Sequence, residues 1–335
     1  MHSYQARCVQ GVLHMVVKQR RMHGVEEVMH MHGECMQKLA VVWPSSGLRE
    51  NECQDAERAL HVLAEMGWEC TVNPLMLAGD IDDHVRVGSF IQGIEQGASL
   101  FIAARGGWGS ARVLARLDAL LSSVPVLLGF SDVTTLLWAK ARQQGQVCLH
   151  GPMLSTLCKE PAWSLHRLQR ILRGQSVDAM HGKPLVPGVV CGPLWVGNLC
   201  VASHLIGTPY MPDLRGGILL FEEISEPLYK IDRMLTFWQM AGLFDQVRGF
   251  AFGRMLTATK EEDARLHAFI MQKLGHLQKP MMVDVAVGHG VGLGHGVLPV
   301  GGMVRLDAGQ GTLEVLSVAS LGSVVKDGKE QANIK

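Results

Sequence analysis

The chain has 335 residues, enough for two domains that each bury a core, and its 47% hydrophobic and 19% charged content is that of a soluble globular protein. Thirty-one basic residues offset thirty-one acidic ones, which excludes a bulk field drawing the protein to nucleic acid or an anionic membrane and suits a small or zwitterionic ligand. No run nears the roughly 20 apolar residues of a membrane span, and eight cysteines without one C-x-x-C pair argue against a zinc site or disulfide framework and for a reducing, cytoplasmic compartment.

Residues 1–37 are rich in His and Met, with Met36 just ahead of the first clean strand, so they are expected to form an extension outside the fold. Lys38 to Trp43 reads as a buried strand stopped by Pro44, with Ser45-Ser46-Gly47 as the turn. A helix follows, with Ala59, Leu60, Leu63 and Met66 at helical spacing. Strand Cys70–Val72, a helix around Val87 to Ile94 and strand Leu100–Ala104 continue the alternation. Strands separated by helices predict a parallel sheet, whose ligands sit at the carboxyl ends of the strands.

The strand ending at Ala104 runs into Arg105-Gly106-Gly107-Trp108-Gly109-Ser110. Its glycines let backbone approach a ligand, so the loop is either an N–H donor for an oxyanion, with Arg105 near a substrate carboxylate, or a plain turn. It is not G-x-G-x-x-G and no Walker lysine follows, which argues against a nucleotide cofactor. The next strand, Val126 to Gly129, leads through Phe130 and Ser131 into a helix with Leu136 and Leu137. A serine there is either a nucleophile exposed on a tight strand-to-helix turn or the N-cap of the helix. Strand Gln146–Leu149 delivers His150, a general base or a hydrogen-bonded structural histidine.

A helix near Trp163 to Leu172 and a Gly- and Pro-bearing loop then mark residues 156–192 as a linker. Beyond it, strand Gly217–Phe221 ends at Glu222-Glu223, two carboxylates costly to bury without partners, so one is expected to meet a cation or an imidazole. A helix with Ile231, Leu235 and Trp238 on one face follows. After strand Val247–Gly253 and a helix through Leu266 to Leu274, strand Met281–Val287 delivers His289. His295 is its rival, placed in a glycine-rich loop with no strand before it. Leu298 to Leu316 alternates as a closing hairpin.

A serine on an elbow, a glycine loop, and a carboxylate and a histidine at later strand ends meet the logic of a nucleophile, base and orienter. The order Ser, Glu, His is that of α/β-hydrolases, but Gly129-Phe130-Ser131-Asp132-Val133 lacks the second glycine of G-x-S-x-G. The ordered set Arg105 to Arg112, Gly129-Phe130-Ser131-Asp132, His150-Gly151-Pro152-Met153, Gly197-Asn198-Leu199, Leu220 to Glu223 with Ile231-Asp232-Arg233, and Gly288-His289 resembles the motifs of the LD-carboxypeptidase family, serine peptidases of the S66 class. The resemblance covers Leu39 to Asp307, with Trp108 and Phe130 where tyrosine is common, Glu223 where aspartate is, and Val196 where a glycine often stands.

The resemblance implies an α/β fold: an N-terminal parallel-sheet, amidotransferase-like nucleophile domain over 38–155, and a smaller C-terminal α/β domain over 193–325 carrying Glu222 and His289, with a tail over 326–335. It implies Ser131 as nucleophile, Glu222 and His289 as its partners, and the N–H groups of Gly107 and Asp132 as the oxyanion hole. It further implies a homodimer, no metal or other cofactor, and cleavage of the terminal D-alanine from cytoplasmic murein tetrapeptides. A branch of the same family cleaves peptidyl-nucleotide antibiotics of the microcin C kind, and a noncatalytic ligand-binding protein is the reading from a different class.

Overall fold

The computed structural model of the chain describes residues 37–71, 81–143, 146–290 and 292–317. The expected N-terminal extension, apart from Gln37, and the expected tail lie outside the described residues. By compactness the chain divides into one unit of residues up to Pro125 with Met153–Cys158, and a second of Val126–Pro152 with Lys159 onward. The Ser131 strand therefore groups with the later part of the chain, not with the N-terminal strands that precede it.

In the first unit, β1 (Gln37–Val42) lies between β2 (Trp68–Thr71) and β3 (Leu100–Ala103), all parallel, with Leu39 opposite Cys70 and Ala40 opposite Phe101. Leu39 to Val42 and all of β3 are buried, as uninterrupted apolar runs require when both faces of a sheet are covered. The helices are α1 (Cys53–Glu65), α2 (Asp83–Glu95) and α3 (Ser110–Leu121). At helical spacing α1 turns Ala56, Ala59, Leu60 and Leu63 inward, and α3 does so with Val113, Leu114, Leu117 and Leu121. Gly93 lets α2 lie close on the sheet, since a Cβ there would come within 2.5 Å of the Phe101 ring and 2.7 Å of Ala40.

The second unit opens with β4 (Val126–Gly129), α4 (Thr134–Ala141) and β5 (Val147–His150), with β4 and β5 parallel. After α5 (Ala162–Leu172) come β6 (Met180–His181), β7 (Lys183–Val186) and β8 (Val189–Asn198), then α6 (Leu199–Ser203) and β9 (Ile218–Glu226). The chain continues through α7 (Leu228–Met240), β10 (Gly249–Thr257), α8 (Lys260–Leu274) and β11 (Met281–Val283). It ends in β12 (Leu298–Val300), β13 (Met303–Asp307) and β14 (Thr312–Val315). Among the described residues eight strands form one sheet in the order β6-β14-β13-β8-β9-β10-β11-β7, parallel from β8 to β11 and antiparallel at both flanks. One face of β9 packs Phe221 against Trp238 of α7, ring centroids 5.0 Å apart, and Trp238 in turn meets Trp138 of α4 at 6.1 Å. No helix among the described residues is long and apolar enough to cross a membrane.

Four expectations change. Residues 156–192 are not a linker: α5 and the strands β6, β7 and the start of β8 occupy them, and Pro184 sits on β7, the edge strand of the large sheet, where proline is tolerated. The strand bearing Glu222 and Glu223 does not end at Phe221 but continues to Glu226. The strand before His289 stops at Val283, because Asp284 takes a left-handed φ of 61° and turns its carboxylate to Lys183 at 2.8 Å and His267 at 2.9 Å. The closing hairpin is β13 with β14, whereas β12 pairs antiparallel with β5.

Candidate active site

Ser131 stands where β4 gives way to a 3-10 turn, Ser131–Val133, that runs into α4. Phe130 before it is extended, and Ser131 itself has φ 61°, a left-handed conformation that costs a non-glycine residue roughly 1–2 kcal/mol and persists only where packing imposes it. Here α4 is locked to β8. The Asn198 N–H donates to Thr134 Oγ1 at 3.0 Å and Trp138 Nε1–H to the Val196 carbonyl at 2.8 Å, while a Cβ on Gly197 would lie 2.5 Å from Thr134 Cγ2. Neither the 3-10 turn nor α4 has a side-chain cap, so the N-cap reading of Ser131 falls and the strained elbow remains.

Glu222 lies on β9 opposite Asn198 of β8 and is fully buried. Its Oε2 accepts two bonds from His289, Nδ1–H at 2.6 Å and the backbone N–H at 3.2 Å. Burial alone would raise the Glu222 carboxyl, but the charge and hydrogen bonds of His289 outweigh it and hold the group below its ordinary value. Conversely, burial lowers His289 while the Glu222 charge and hydrogen bond raise it, and the net direction is up. With Nδ1 engaged as donor, Nε2 is the nitrogen left with a lone pair, and His289 is the partly exposed member of the pair, at 17% against 0% for Glu222. The Phe130 ring, one residue before Ser131, contacts the His289 ring with centroids 4.8 Å apart.

The segment that carries His289 is held without a strand. Val285 N–H donates to the Phe252 carbonyl at 3.1 Å, Arg254 N–H to that of Val287 at 2.8 Å, and Arg254 Nη1 to that of Gly288 at 3.0 Å. Further on, Arg254 Nη2 donates to the carbonyls of Leu293 and Gly294. Gly288 itself has φ +94°, and a Cβ there would sit 2.5 Å from Glu222 Cβ and 2.6 Å from Oε2. Arg254 and Gly288 thus set the approach of His289 to Glu222. The sequence reading missed Arg254, whose job is to satisfy loop carbonyls that only the folded chain gathers.

The other two histidines do not reach outward. His150 and His295 are 0% and 2% exposed, and His295 Nε2 lies 3.1 Å from His150 Nδ1. Burial pushes His150 down to about 4, with the Glu222 charge opposing and the His289 charge adding to the shift, and His295 falls well below its ordinary value for the same first reason. Both are neutral at physiological pH and shielded from solvent, which disqualifies them as the base that meets a substrate. Glu223, next to Glu222, is 2% exposed and turned to Asn198 Nδ2 at 2.8 Å and the Cys200 N–H at 2.8 Å. Burial dominates there and pushes its carboxyl up to about 7.

The remaining predicted residues belong partly to the other unit. Asp132 is the second residue of the Ser131 turn, within the second unit. Arg105 and Gly107 lie in the first unit, where Arg105 Nε pairs with Glu52 at 2.8 Å and Nη1 donates to the Gly47 carbonyl at 3.4 Å. Gly107 has φ +107°, and a Cβ there would fall 2.4 Å from Ser46 Oγ. In the second unit a cavity of about 310 Å³ is lined by Trp163, His166, Arg167, Arg170, Met180 and His181 and includes none of Ser131, Glu222 and His289.

Residues 39–151 match the model of the LD-carboxypeptidase N-terminal domain, and residues 191–306 that of the LD-carboxypeptidase C-terminal domain. A Synechocystis protein named as a carboxypeptidase is 35% identical over 290 residues, which cover 83% of this chain and 94% of that one. The murein tetrapeptide carboxypeptidase of Pseudomonas aeruginosa is 29% identical over 207 residues, 56% of this chain and 66% of that one. The crystal structure of muramoyltetrapeptide carboxypeptidase from Oxalobacter formigenes superposes with a TM-score of 0.72 at 26% identity, covering 83% of this chain and 98% of that one.

Proposed function

The chain belongs to the LD-carboxypeptidase family, and on that premise we propose that it is a serine carboxypeptidase that releases the terminal D-alanine of murein tetrapeptides in peptidoglycan recycling. The observation that carries the proposal is the buried Glu222–His289 pair, 2.6 Å apart, with the His289 ring against the residue that precedes the strained Ser131. Ser131 Oγ attacks the scissile carbonyl as Nε2 of His289 takes its proton, and Glu222 stabilises the imidazolium through Nδ1–H. The tetrahedral oxyanion is held by backbone N–H groups, that of Asp132 beside Ser131 among them, each such donor typically worth about 100- to 1,000-fold in turnover. His289 then hands the proton to the departing amine of D-alanine. Water, deprotonated by the same imidazole, attacks the acyl-enzyme and restores the Ser131 hydroxyl.

In this proposal the enzyme is cytoplasmic and homodimeric, and it needs neither a metal nor another cofactor. Arg105 holds the free carboxylate of D-alanine through guanidinium donors not committed to Glu52 and Gly47. Arg105→Ala is then expected to raise KM several-fold with a small change in kcat, because Glu52 already screens the charge. The decisive experiment is incubation with murein tetrapeptide and detection of free D-alanine. Wild type releases it and Ser131→Ala loses roughly 10⁴- to 10⁶-fold in kcat; no release by wild type, or equal release by the variant, rejects the proposal.

A further inference from the structure

Behind the Glu222–His289 pair lie two buried groups that the proposed reaction leaves without a task. His150 and His295 are packed with ring centroids 5.0 Å apart, and the Phe130 ring meets all three imidazoles, at 6.0 Å for His150, 4.8 Å for His289 and 4.8 Å for His295. Two atoms of this cluster are buried without a hydrogen-bond partner: Oε1 of Glu222 and Nε2 of His150. Orphaned polar atoms in a protein interior cost about 1–3 kcal/mol each and call for an explanation. Here one orphan belongs to the carboxylate that orients the catalytic base, the other to an imidazole its charge reaches.

The tautomer follows from the contacts. Of the two nitrogens 3.1 Å apart, one donates and one accepts. If His150 Nδ1–H donated to His295, its Nε2 would present a lone pair in the field of a buried carboxylate. If instead His295 Nε2–H donates to His150 Nδ1, the His150 proton sits on Nε2, the orphaned nitrogen, which then has a hydrogen to give. The second arrangement makes the two orphans complementary, a donor on His150 and an acceptor on Glu222, and chains linked in this way polarise one another. His295 is fixed for this role: its N–H donates to Glu160 Oε2 at 2.6 Å and its carbonyl accepts the Ser164 hydroxyl at 2.8 Å. Burial opposes a second proton at both rings; at His150 the Glu222 charge favours it and the His289 charge opposes it, and at His295 the charges of His150, Arg254 and His289 all oppose it.

We propose that His150, buttressed by His295, is a positioning residue that donates its Nε2–H through one bridging water to Oε1 of Glu222, holding that carboxylate in plane and ionised while its other oxygen grips His289. The two orphans are not in direct hydrogen-bond contact, and a single water accepting from His150 and donating to Glu222 satisfies both. The inference rests on the serine carboxypeptidase reading for its consequence but not for its geometry.

Imidazole ¹⁵N spectra of the full-length wild type test the geometry without any variant. The expected spectrum has His150 with Nδ1 bare and Nε2 protonated, unchanged from pH 5 to pH 8 while His289 titrates. An Nδ1–H tautomer, or a charged His150 at neutral pH, overturns the proposal. The consequence is tested on tetrapeptide turnover. His150→Leu is expected to lose roughly 10- to 100-fold in kcat with KM little changed, and His150→Gln, whose amide nitrogen reaches the place of Nε2, to recover most of it. Equal loss in both folded variants overturns it. Absence of D-alanine release by wild type would instead sink the assigned reaction, leaving the spectrum to decide the tautomer.

Discussion

Glu222 and Glu223 are the same residue type, adjacent on β9 and both buried, yet the pleat sends them to opposite faces and opposite fates. Glu222 meets an imidazole that can share its charge, and the pair keeps it below the ordinary carboxylate range. Glu223 meets only neutral donors, Asn198 Nδ2 and the N–H groups of Cys200 and Ile224, and burial pushes it up to about 7. Hydrogen bonds to a carboxylate favour its ionised form, but three of them do not match one cationic partner when water is excluded. One face of the strand thus holds a charge paired with an imidazole, and the other uses an acid to tie β8, α6 and β9 together.

The largest break in this comparison comes from Glu222→Gln. It keeps the shape but removes the charge that raises His289, so kcat is expected to fall on the order of 10⁴-fold. The acid limb of kcat/KM, which reports loss of neutral His289, should move from above 6.5 in wild type to lower pH in the variant. A pH–rate profile in which the limb stays put would break the link between the two residues. Gly288→Ala tests the same face by volume: its Cβ presses on Glu222 at 2.5 Å and the backbone is left-handed, so a roughly 100-fold loss of activity with about 1–3 kcal/mol of destabilisation is expected in a urea titration.

Glu223→Gln has the smallest effect on rate and isolates the other face. A carboxyl whose folded value is raised from 4.5 to about 7 stays protonated in the fold while the unfolded chain ionises. Its contribution is therefore full below pH 4.5 and is lost as pH rises through about 7. Wild type should lose up to about 3 kcal/mol relative to the variant between pH 4.5 and pH 7.5, with the pH–rate profile of the two unchanged. A parallel dependence of both proteins on pH would show that Glu223 is ionised in the fold.

Much of the second unit was legible because burial writes itself as apolar runs: β4, the start of β9 and the inward face of α7 at Ile231, Leu235 and Trp238 all lie where hydrophobic period placed them. The expense of two buried carboxylates also announced that one of them needs a cation or an imidazole. Among the imidazoles the sequence favoured His289 as leaving a strand end, but that strand stops at Val283, and it is solvent access and partners that separate His289 from His150 and His295. The segment 156–192 misled for a related reason, since proline and glycine mark a sheet edge as readily as a linker.

By itself the sequence determined the α/β alternation, the elbow at Ser131 and the presence of a carboxylate and histidines further along, because these depend on local period, turn chemistry and the cost of burying charge. Only the tertiary structure decided that Ser131 adopts φ 61° and caps nothing, that His289 is gripped by Glu222, and that His150 and His295 are turned inward on each other. Those outcomes rest on contacts between residues far apart in the chain, such as Gly288 with Glu222, Arg254 with the His289 loop and Asn198 with Thr134. No local pattern encodes them, because each exists only once the strands have brought both partners to the same place.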